Sequence, residues 1–286
     1  MRFVQFLRDG RQHIGVELTD GGSIVDLNAA DSTMPCDMRS FLTGGQPLLV
    51  AAKSAVEIGR NVINRDSVKI LAPITNPDKV LCIGMNYVDH CVEQNCPVPV
   101  EPVVFNKFPS CIIATGDDLV YPCETQELDW EVELVIVIGK DGKNIKKEDT
   151  MNHVFGYAVA HDVSARDWQM KKNGGQWLLG KAMDCFCPLG AAIVMKEDIK
   201  DPHNLRLTCS VNGVIKQDGN TNTLVHKSED IVSFISRFCT LKAGDIILTG
   251  TPPGVGVFRK PPEFLKRGDV VECEIEEIGK VVNKVV

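Results

Sequence analysis

Two glutamates stand two positions apart at the start of an apolar run, and their spacing suits metal chemistry. Residues 132–138 are apolar apart from Glu133, and this pattern predicts a strand. Side chains alternate along a strand, so Glu131 and Glu133 point to the same side. Two buried carboxylates this close repel each other, and a hard divalent cation with oxygen ligands would neutralise them. A third acid, Asp162, follows the apolar residues 155–160, although a solvated edge strand with alternating acids has the same spacing as Glu131 and Glu133.

A candidate acid–base pair, His90 and Glu93, follows a predicted strand over residues 79–84. A helix that begins near Asn86 or Tyr87 places both side chains on one face, because they are three residues apart. A carboxylate that accepts from one imidazole nitrogen fixes the tautomer and leaves the other nitrogen free to act as a base. An ordinary exposed helical pair has the same spacing, so both interpretations stay open at this point.

Two further segments contain residues suited to a binding site. Lys181 ends the run of residues 177–180, and a desolvated lysine near a metal can act as an acid or an electrostatic clamp. Residues 249–256 are rich in glycine and proline and follow a predicted strand, where Thr251 offers a hydroxyl and an amide to a ligand. The Walker motif of a phosphate-binding loop is absent from this run. A surface lysine and a plain tight turn are the alternatives.

The elements that must position these residues are predominantly strands. Strand-like runs and a helix over residues 47–58 form an N-terminal unit, which a proline-punctuated segment joins to a larger unit. In the larger unit, strands are predicted over residues 79–84, 102–105, 132–138, 155–161, 205–211, 245–248 and 270–275, and helices over residues 163–172 and 228–238. The sequence therefore predicts a β-rich α+β protein, not a doubly wound one, with domains of residues 1–72 and 73–286.

The composition excludes several classes of protein. The chain has 286 residues, with 31 Lys and Arg against 38 Asp and Glu, a net charge of −7. This balance argues against nonspecific nucleic-acid binding, which needs a basic face. No apolar run reaches about 18 residues, the length of a membrane helix. The 11 scattered cysteines without a CxxC pair are typical of reduced thiols in an intracellular protein. The first residues resemble a strand, so we expect a cytosolic chain or one whose presequence has been removed.

In order and spacing, five motifs resemble those of the fumarylacetoacetate hydrolase superfamily. They are GMNYVDH (84–90), EVE (131–133), HDVSARDWQ (161–169), WLLGK (177–181) and TGTPPGVG (249–256). The resemblance covers roughly residues 76–286. It implies a mixed β-roll for the catalytic domain, a homodimer, and a mitochondrial location with the presequence absent from this sequence.

The resemblance implies a role for each candidate residue. By motif position, the implied ligands of Mg²⁺ or Mn²⁺ are Glu131, Glu133 and Asp162, the implied catalytic residues are His90, Glu93 and Lys181, and the implied substrate-binding residues are Arg166, Gln169 and Thr251. Met85 departs from the pattern, because many family members have an arginine there. This departure bears on the substrate preference.

The resemblance also implies a reaction on 2-oxo acids that carry a second carbonyl at C4. Chelation of the C1 carboxylate and C2 oxygen by a metal stabilises an enolate. If C4 is a ketone, water activated by His90 and Glu93 can break the C3–C4 bond. If C4 is a carboxylate, proton transfer at C3 or loss of CO₂ remains. We expect an oxaloacetate keto–enol tautomerase, with acylpyruvate hydrolase and oxaloacetate decarboxylase as alternatives. A non-catalytic protein with a structural Ca²⁺ would not need Lys181 beside the acid–base pair.

Overall fold

The computed structural model describes residues 1–286 and contains twenty strands and six α-helices. The strands are β1 (Arg2–Arg8), β2 (Arg11–Glu17), β3 (Ile24–Asp26), β4 (Val62–Ile63), β5 (Lys69–Leu71), β6 (Val80–Gly84), β7 (Val103–Lys107), β8 (Ile112–Ala114), β9 (Asp118–Leu119), β10 (Leu128–Asp129), β11 (Val132–Ile138), β12 (Val154–His161), β13 (Ser164–Ala165), β14 (Cys187–Leu189), β15 (Ala192–Met195), β16 (Arg206–Val211), β17 (Val214–Asn220), β18 (Ile246–Leu248), β19 (Val270–Ile275) and β20 (Gly279–Val285). The helices are α1 (Leu27–Ala30), α2 (Met38–Gly44), α3 (Gln46–Ile58), α4 (Val88–Glu93), α5 (Leu178–Lys181) and α6 (Ser228–Ser236). The predicted β-rich α+β class is confirmed. No helix has both the length and the apolar character needed to cross a bilayer.

Thirteen strands form one sheet, whose main path has the order β4-β3-β2-β1-β15-β12-β11-β18-β6-β7. β11 pairs antiparallel with β12, in a register that sets Glu133 opposite Ala160. On its other side β11 pairs antiparallel with β18, and β18 lies parallel to β6. The first residues of β11 therefore lie at the same end of the sheet as the last residues of β12, β18 and β6. Four of the five motifs lie at these strand ends, and the fifth, WLLGK, consists of Trp177 and α5.

A second sheet has the strand order β17-β16-β19-β20-β9. Buried apolar residues from both sheets join in one core cluster, which includes residues from β11, β12, β16 and β19. The strand predicted over residues 270–275 is present as β19, in which Val271, Cys273 and Ile275 are buried while Glu274 is exposed. Packing in this core holds the end of the large sheet where β11 begins.

The N-terminal strands belong to the same large sheet as the strands just described. β1 pairs antiparallel with β15, with Phe3 opposite Ile193. The helix predicted over residues 47–58 is present as α3, which has Pro47 in its first turn and ends at Gly59, where φ is 66°. The division of the chain at residue 72 stays a prediction.

The helix predicted over residues 163–172 is wrong in its first half. Ser164 and Ala165 form β13, which pairs with β10 so that Ser164 lies opposite Asp129. Only Asp167–Lys171 is helical, as a single π-turn. Pairing with a distant segment has overridden the local helical pattern, and the wide turn sets the direction of Gln169. The second predicted helix, over residues 228–238, is present as the slightly shorter α6.

Replacing Gly156 with alanine is expected to destabilise the large sheet. Gly156 lies in β12 opposite Met195, and a Cβ at this position would lie 2.1 Å from Val194 O. The obstacle is main chain, so β12 and β15 must separate. Overpacking of this kind costs about 1–3 kcal/mol, which lowers the melting temperature by several degrees. Calorimetric melting of the variant and the parent protein measures the difference, and equal melting temperatures would contradict the expectation.

Candidate active site

Three acidic residues lie close together at the end of the large sheet where β11 begins and β12 ends. Glu131 directly precedes β11, Glu133 is its second residue, and Asp162 directly follows β12. The Asp162 N–H donates to Glu131 O at 2.9 Å, which holds the two strand ends together. One carboxylate oxygen from each residue lies within 4.8 Å of the others, and all three residues are buried. The structure thus brings together the three predicted metal ligands.

Glu133 is the carboxylate with the least compensation. Burial raises the pKa of Glu133 well above its usual value, and the charges of Asp162 and Glu131 raise it further. Its Oε2 accepts the Gly250 N–H at 2.7 Å, but it forms no ion pair with a basic side chain. A buried cluster of oxygen ligands with one carboxylate short of positive charge fits a hard divalent cation.

Two buried lysines lie against the other two acids. Lys181, the last residue of α5, donates to Glu131 Oε2 at 2.7 Å and to Asp162 Oδ2 at 2.8 Å. Burial opposes its charged form, but Asp162 and Glu131 outweigh burial and raise the pKa of Lys181. Lys107, the last residue of β7, has its Nζ 2.6 Å from Asp162 Oδ1 and donates to Val163 O at 3.1 Å. Both oxygens of Asp162 therefore face a lysine.

Arg166 connects the acid cluster to Gln169. Its Nε donates to Asp129 Oδ2 at 2.8 Å, and its Nη1 donates to Gln169 Oε1 at 2.9 Å. Its Nη2 lies 2.6 Å from Glu131 Oε1. Burial alone would raise the pKa of Glu131, but Lys181 and Arg166 hold it well below its usual range. The two predicted substrate-binding residues Arg166 and Gln169 are thus held together in fixed positions.

His90 and Glu93 form the predicted pair on α4. His90 Nδ1 lies 2.7 Å from Glu93 Oε2, and the Gly254 N–H donates to Glu93 Oε1 at 2.8 Å. His90 is 6% exposed, and its ring meets the edge of Phe258 at a centroid distance of 6.1 Å. The glutamate therefore orients the imidazole and ties it to the loop after β18. This leaves His90 Nε2 as the free ring nitrogen.

Thr251 lies in the same loop, and its hydroxyl is largely committed to the protein. Its Oγ1 donates to Val132 O at 2.9 Å and accepts from Gln217 Nε2 at 2.8 Å. A hydroxyl has one donor, so the Thr251 side chain can offer a ligand only an acceptor. A donor to a substrate carboxylate must come from its main-chain amide instead.

All of the site residues predicted from the sequence except Glu93 and Asp162 line one cavity of about 150 Å³. The charged and polar lining consists of His90, Gln94, Glu131, Glu133, Arg166, Gln169, Lys181 and Thr251, and the remaining lining is Ile83, Gly84, Met85, Phe105, Met170, Trp177 and Phe258. A larger cavity of about 570 Å³ lies between α2, α3 and the large sheet. Glu131 and Glu133 of the acid cluster line the smaller cavity and not the larger one, so the smaller cavity is the candidate active site.

Residues 79–286 match the family model described as fumarylacetoacetate (FAA) hydrolase C-terminal. The chain belongs to the fumarylacetoacetate hydrolase family. Over 288 aligned residues it is 60% identical to a protein of Xenopus laevis named "Oxaloacetate tautomerase fahd2, mitochondrial", with 100% of this chain and 90% of the relative covered. This confirms the family predicted from the five motifs.

Solved structures of the fumarylacetoacetate hydrolase family share the fold. A fumarylacetoacetate hydrolase from Exiguobacterium antarcticum has a TM-score of 0.86 at 36% identity, with 100% of this chain and 99% of that chain covered. A maleylpyruvate hydrolase from Sphingobium sp. SYK-6, in complex with manganese(II) ion and pyruvate, has a TM-score of 0.83 at 28% identity, with the same coverage. The predicted family fold is therefore confirmed over the whole chain.

Three residues of this fumarylacetoacetate hydrolase site were missed by the sequence reasoning. Lys107 ends an apolar strand just as Lys181 ends an apolar run, a signal that could have been read. Asp129 lies two residues before Glu131, but the arginine that it binds, Arg166, is 37 positions away in the sequence. Trp177 begins the WLLGK motif and lines the cavity. Lys107 and Trp177 therefore have a local signal, whereas the role of Asp129 depends on a distant partner.

Proposed function

We propose that the chain is an oxaloacetate tautomerase, which converts enol-oxaloacetate to the keto form with the help of a divalent metal ion. The observation that carries this proposal is the 60% identity, over the full chain, to the Xenopus laevis protein of that name. The buried acid cluster supports a metal-dependent reaction. Mg²⁺ is the proposed ion because it prefers oxygen ligands, and the manganese complex of the Sphingobium relative makes Mn²⁺ the alternative.

In the proposed reaction the enol hydroxyl loses a proton, C3 gains a proton, and the C2–C3 double bond is replaced by a C2 carbonyl. Glu131, Glu133 and Asp162 would hold the ion. When bound, the ion supplies Lewis-acid stabilisation of the negative charge that develops on the C2 oxygen. Lys181 would deliver the proton to C3, since its ammonium group lies against two of the three acids and lines the cavity.

Arg166, Gln169 and Thr251 are proposed to bind and orient the substrate. Arg166 presents a fixed cation for a carboxylate, because Asp129 and Gln169 already hold its guanidinium. A pre-oriented arginine loses little conformational freedom when an anion binds. Thr251 would contribute through its main-chain amide.

Acylpyruvate hydrolysis is the second candidate, and the His90–Glu93 pair is the observation that favours it. Attack of water at a C4 ketone needs a base, and His90 has one ring nitrogen free at the cavity. Proton transfer at C3 alone does not require this base. Oxaloacetate decarboxylation would use the same metal ion together with Lys181 and Arg166, and it would not need His90 as a base.

A substrate panel separates these functions. Enol-oxaloacetate and several acylpyruvates are given to the protein with Mg²⁺ and with a chelator, and loss of each enol's ultraviolet band is followed along with release of CO₂ and of pyruvate. We expect rapid metal-dependent loss of the enol-oxaloacetate band without CO₂. Faster cleavage of an acylpyruvate would favour hydrolysis, and release of CO₂ would favour decarboxylation.

Location and assembly are also proposals. The mitochondrial name of the Xenopus laevis relative supports a mitochondrial location. The homodimer rests on the family resemblance, and light scattering of the purified protein tests it.

A further inference from the structure

The apolar side of the candidate active site has no role in the proposed reaction. Its largest member is Trp177, which precedes α5 and is partly buried. Phe105 from β7 meets the indole edge-on, at a centroid distance of 5.3 Å and an interplanar angle of 66°. The two rings therefore form an aromatic wall on the side of the cavity formed by β6 and β7.

Gly84, the last residue of β6, makes room for this wall. A Cβ at Gly84 would lie 2.5 Å from Trp177 Cζ3 and 2.7 Å from Cη2. Gly84 is not among the glycines with a positive φ, so its backbone does not require a glycine. The close approach of the indole therefore explains why a side chain is excluded there.

The aromatic wall is also fixed relative to the proposed proton donor. Trp177 and Lys181 lie at the two ends of one helical turn, and the Trp177 carbonyl accepts from the Gly180 N–H at 2.9 Å. The Lys181 Nζ lies over the Phe105 ring, 5.1 Å from its centroid. Phe105 therefore contacts both the Lys181 ammonium group and the Trp177 indole, and all three line the cavity that contains Glu131 and Glu133.

We propose that Trp177 determines substrate specificity by limiting the length of the 2-oxo acid that the site accepts; this inference rests on the proposed function. A cavity of about 150 Å³ holds a ligand about the size of benzene. A four-carbon dicarboxylate approaches that size. A 2,4-dioxo acid with a long hydrocarbon tail needs the volume that the indole fills.

The test compares ligand affinities of the Mg²⁺-loaded protein by calorimetry. The ligands are oxalate, which mimics only the chelating carboxylate and oxygen, and 2,4-dioxo acids with methyl, propyl and pentyl tails. Trp177→Ala is expected to improve the affinity for the pentyl compound relative to oxalate by about tenfold or more, since each methylene in an apolar pocket is worth about that much. Gly84→Ala is expected to act in the opposite direction, because the new methyl group pushes the indole into the cavity.

Phe238→Ala is the control, because it removes an aromatic ring that is 68% exposed on the segment after α6. It should leave all affinity ratios as they are. Trp177→Phe gives a smaller change in the same direction as Trp177→Ala and serves if the alanine variant does not fold. Affinity ratios that do not depend on the residue at 177 would overturn the inference.

The proposed function and this inference fail in different ways. If the parent protein does not convert enol-oxaloacetate, the proposed function is wrong, but the affinity ratios still show whether Trp177 limits the length of the ligand. If the parent protein converts enol-oxaloacetate and the affinity ratios stay constant across the variants, only the inference about Trp177 is wrong.

Discussion

Replacing Glu133 with glutamine is expected to abolish Mg²⁺ binding and turnover of enol-oxaloacetate together. Glutamine keeps the shape of the side chain and can still accept the N–H of Gly250, which Glu133 Oε2 now binds at 2.7 Å. It removes the one carboxylate charge of the cluster that no basic side chain pairs. Lewis-acid stabilisation by a metal is worth several kcal/mol, so we expect kcat/KM to fall by about 10³-fold or more.

Two measurements check this expectation. Mg²⁺ is titrated calorimetrically into the parent protein and the variant, and the rate of loss of the enol-oxaloacetate band is followed for both. Glu274→Gln is the matched control, because Glu274 is an exposed glutamate on β19. We expect metal-free Glu133→Gln to keep the thermal stability of the metal-free parent protein, since glutamine has the shape of glutamate and leaves no basic group unpaired. Unchanged Mg²⁺ affinity in Glu133→Gln would remove Glu133 from the proposed site.

Replacing His90 with alanine is expected to separate the two candidate reactions. Cleavage of an acylpyruvate needs an activated water, and loss of a general base costs about 10²–10⁴-fold. Tautomerisation needs a proton at C3, which Lys181 would supply. We therefore expect His90→Ala to retain a larger fraction of enol-oxaloacetate conversion than of acylpyruvate cleavage, while Glu133→Gln loses both.

The quantity to measure is the ratio of the two rates in the parent protein and in each variant. His153→Ala is the matched control, because His153 Nδ1 bonds to Lys140 O on the surface, away from the cavity. If His90→Ala lowers both rates equally, the His90–Glu93 pair carries the C3 proton. The proposed role of Lys181 as the C3 acid would then be wrong.

Local patterns were sufficient to predict the elements that carry the site. β11 has the predicted limits, because its run of apolar residues is uninterrupted except at Glu133. α4 follows β6 as predicted, since three-residue spacing and a preceding strand define it. The helix predicted over residues 163–172 is wrong in its first half, because β13 pairs with β10, a segment more than thirty positions earlier.

The contacts that complete the site could not be predicted from one sequence. Lys107 reaches Asp162 across 55 positions, because β7 lies at the edge of a sheet whose order the sequence does not reveal. The fit between Trp177 and Gly84 likewise depends on how the segment before α5 folds back over β6. Spacing along one strand was readable, whereas neighbours brought together by sheet order were not.

The pairing of β1 with β15 makes the two predicted units mechanically dependent on each other. A protein that began after residue 72 would present β15 as an edge strand with open main-chain donors and acceptors, next to β12. Exposed edges of this kind recruit other chains and promote aggregation. By pairing with β15, β1 therefore protects that strand from pairing with other chains. We expect the whole chain to unfold in one cooperative transition rather than domain by domain.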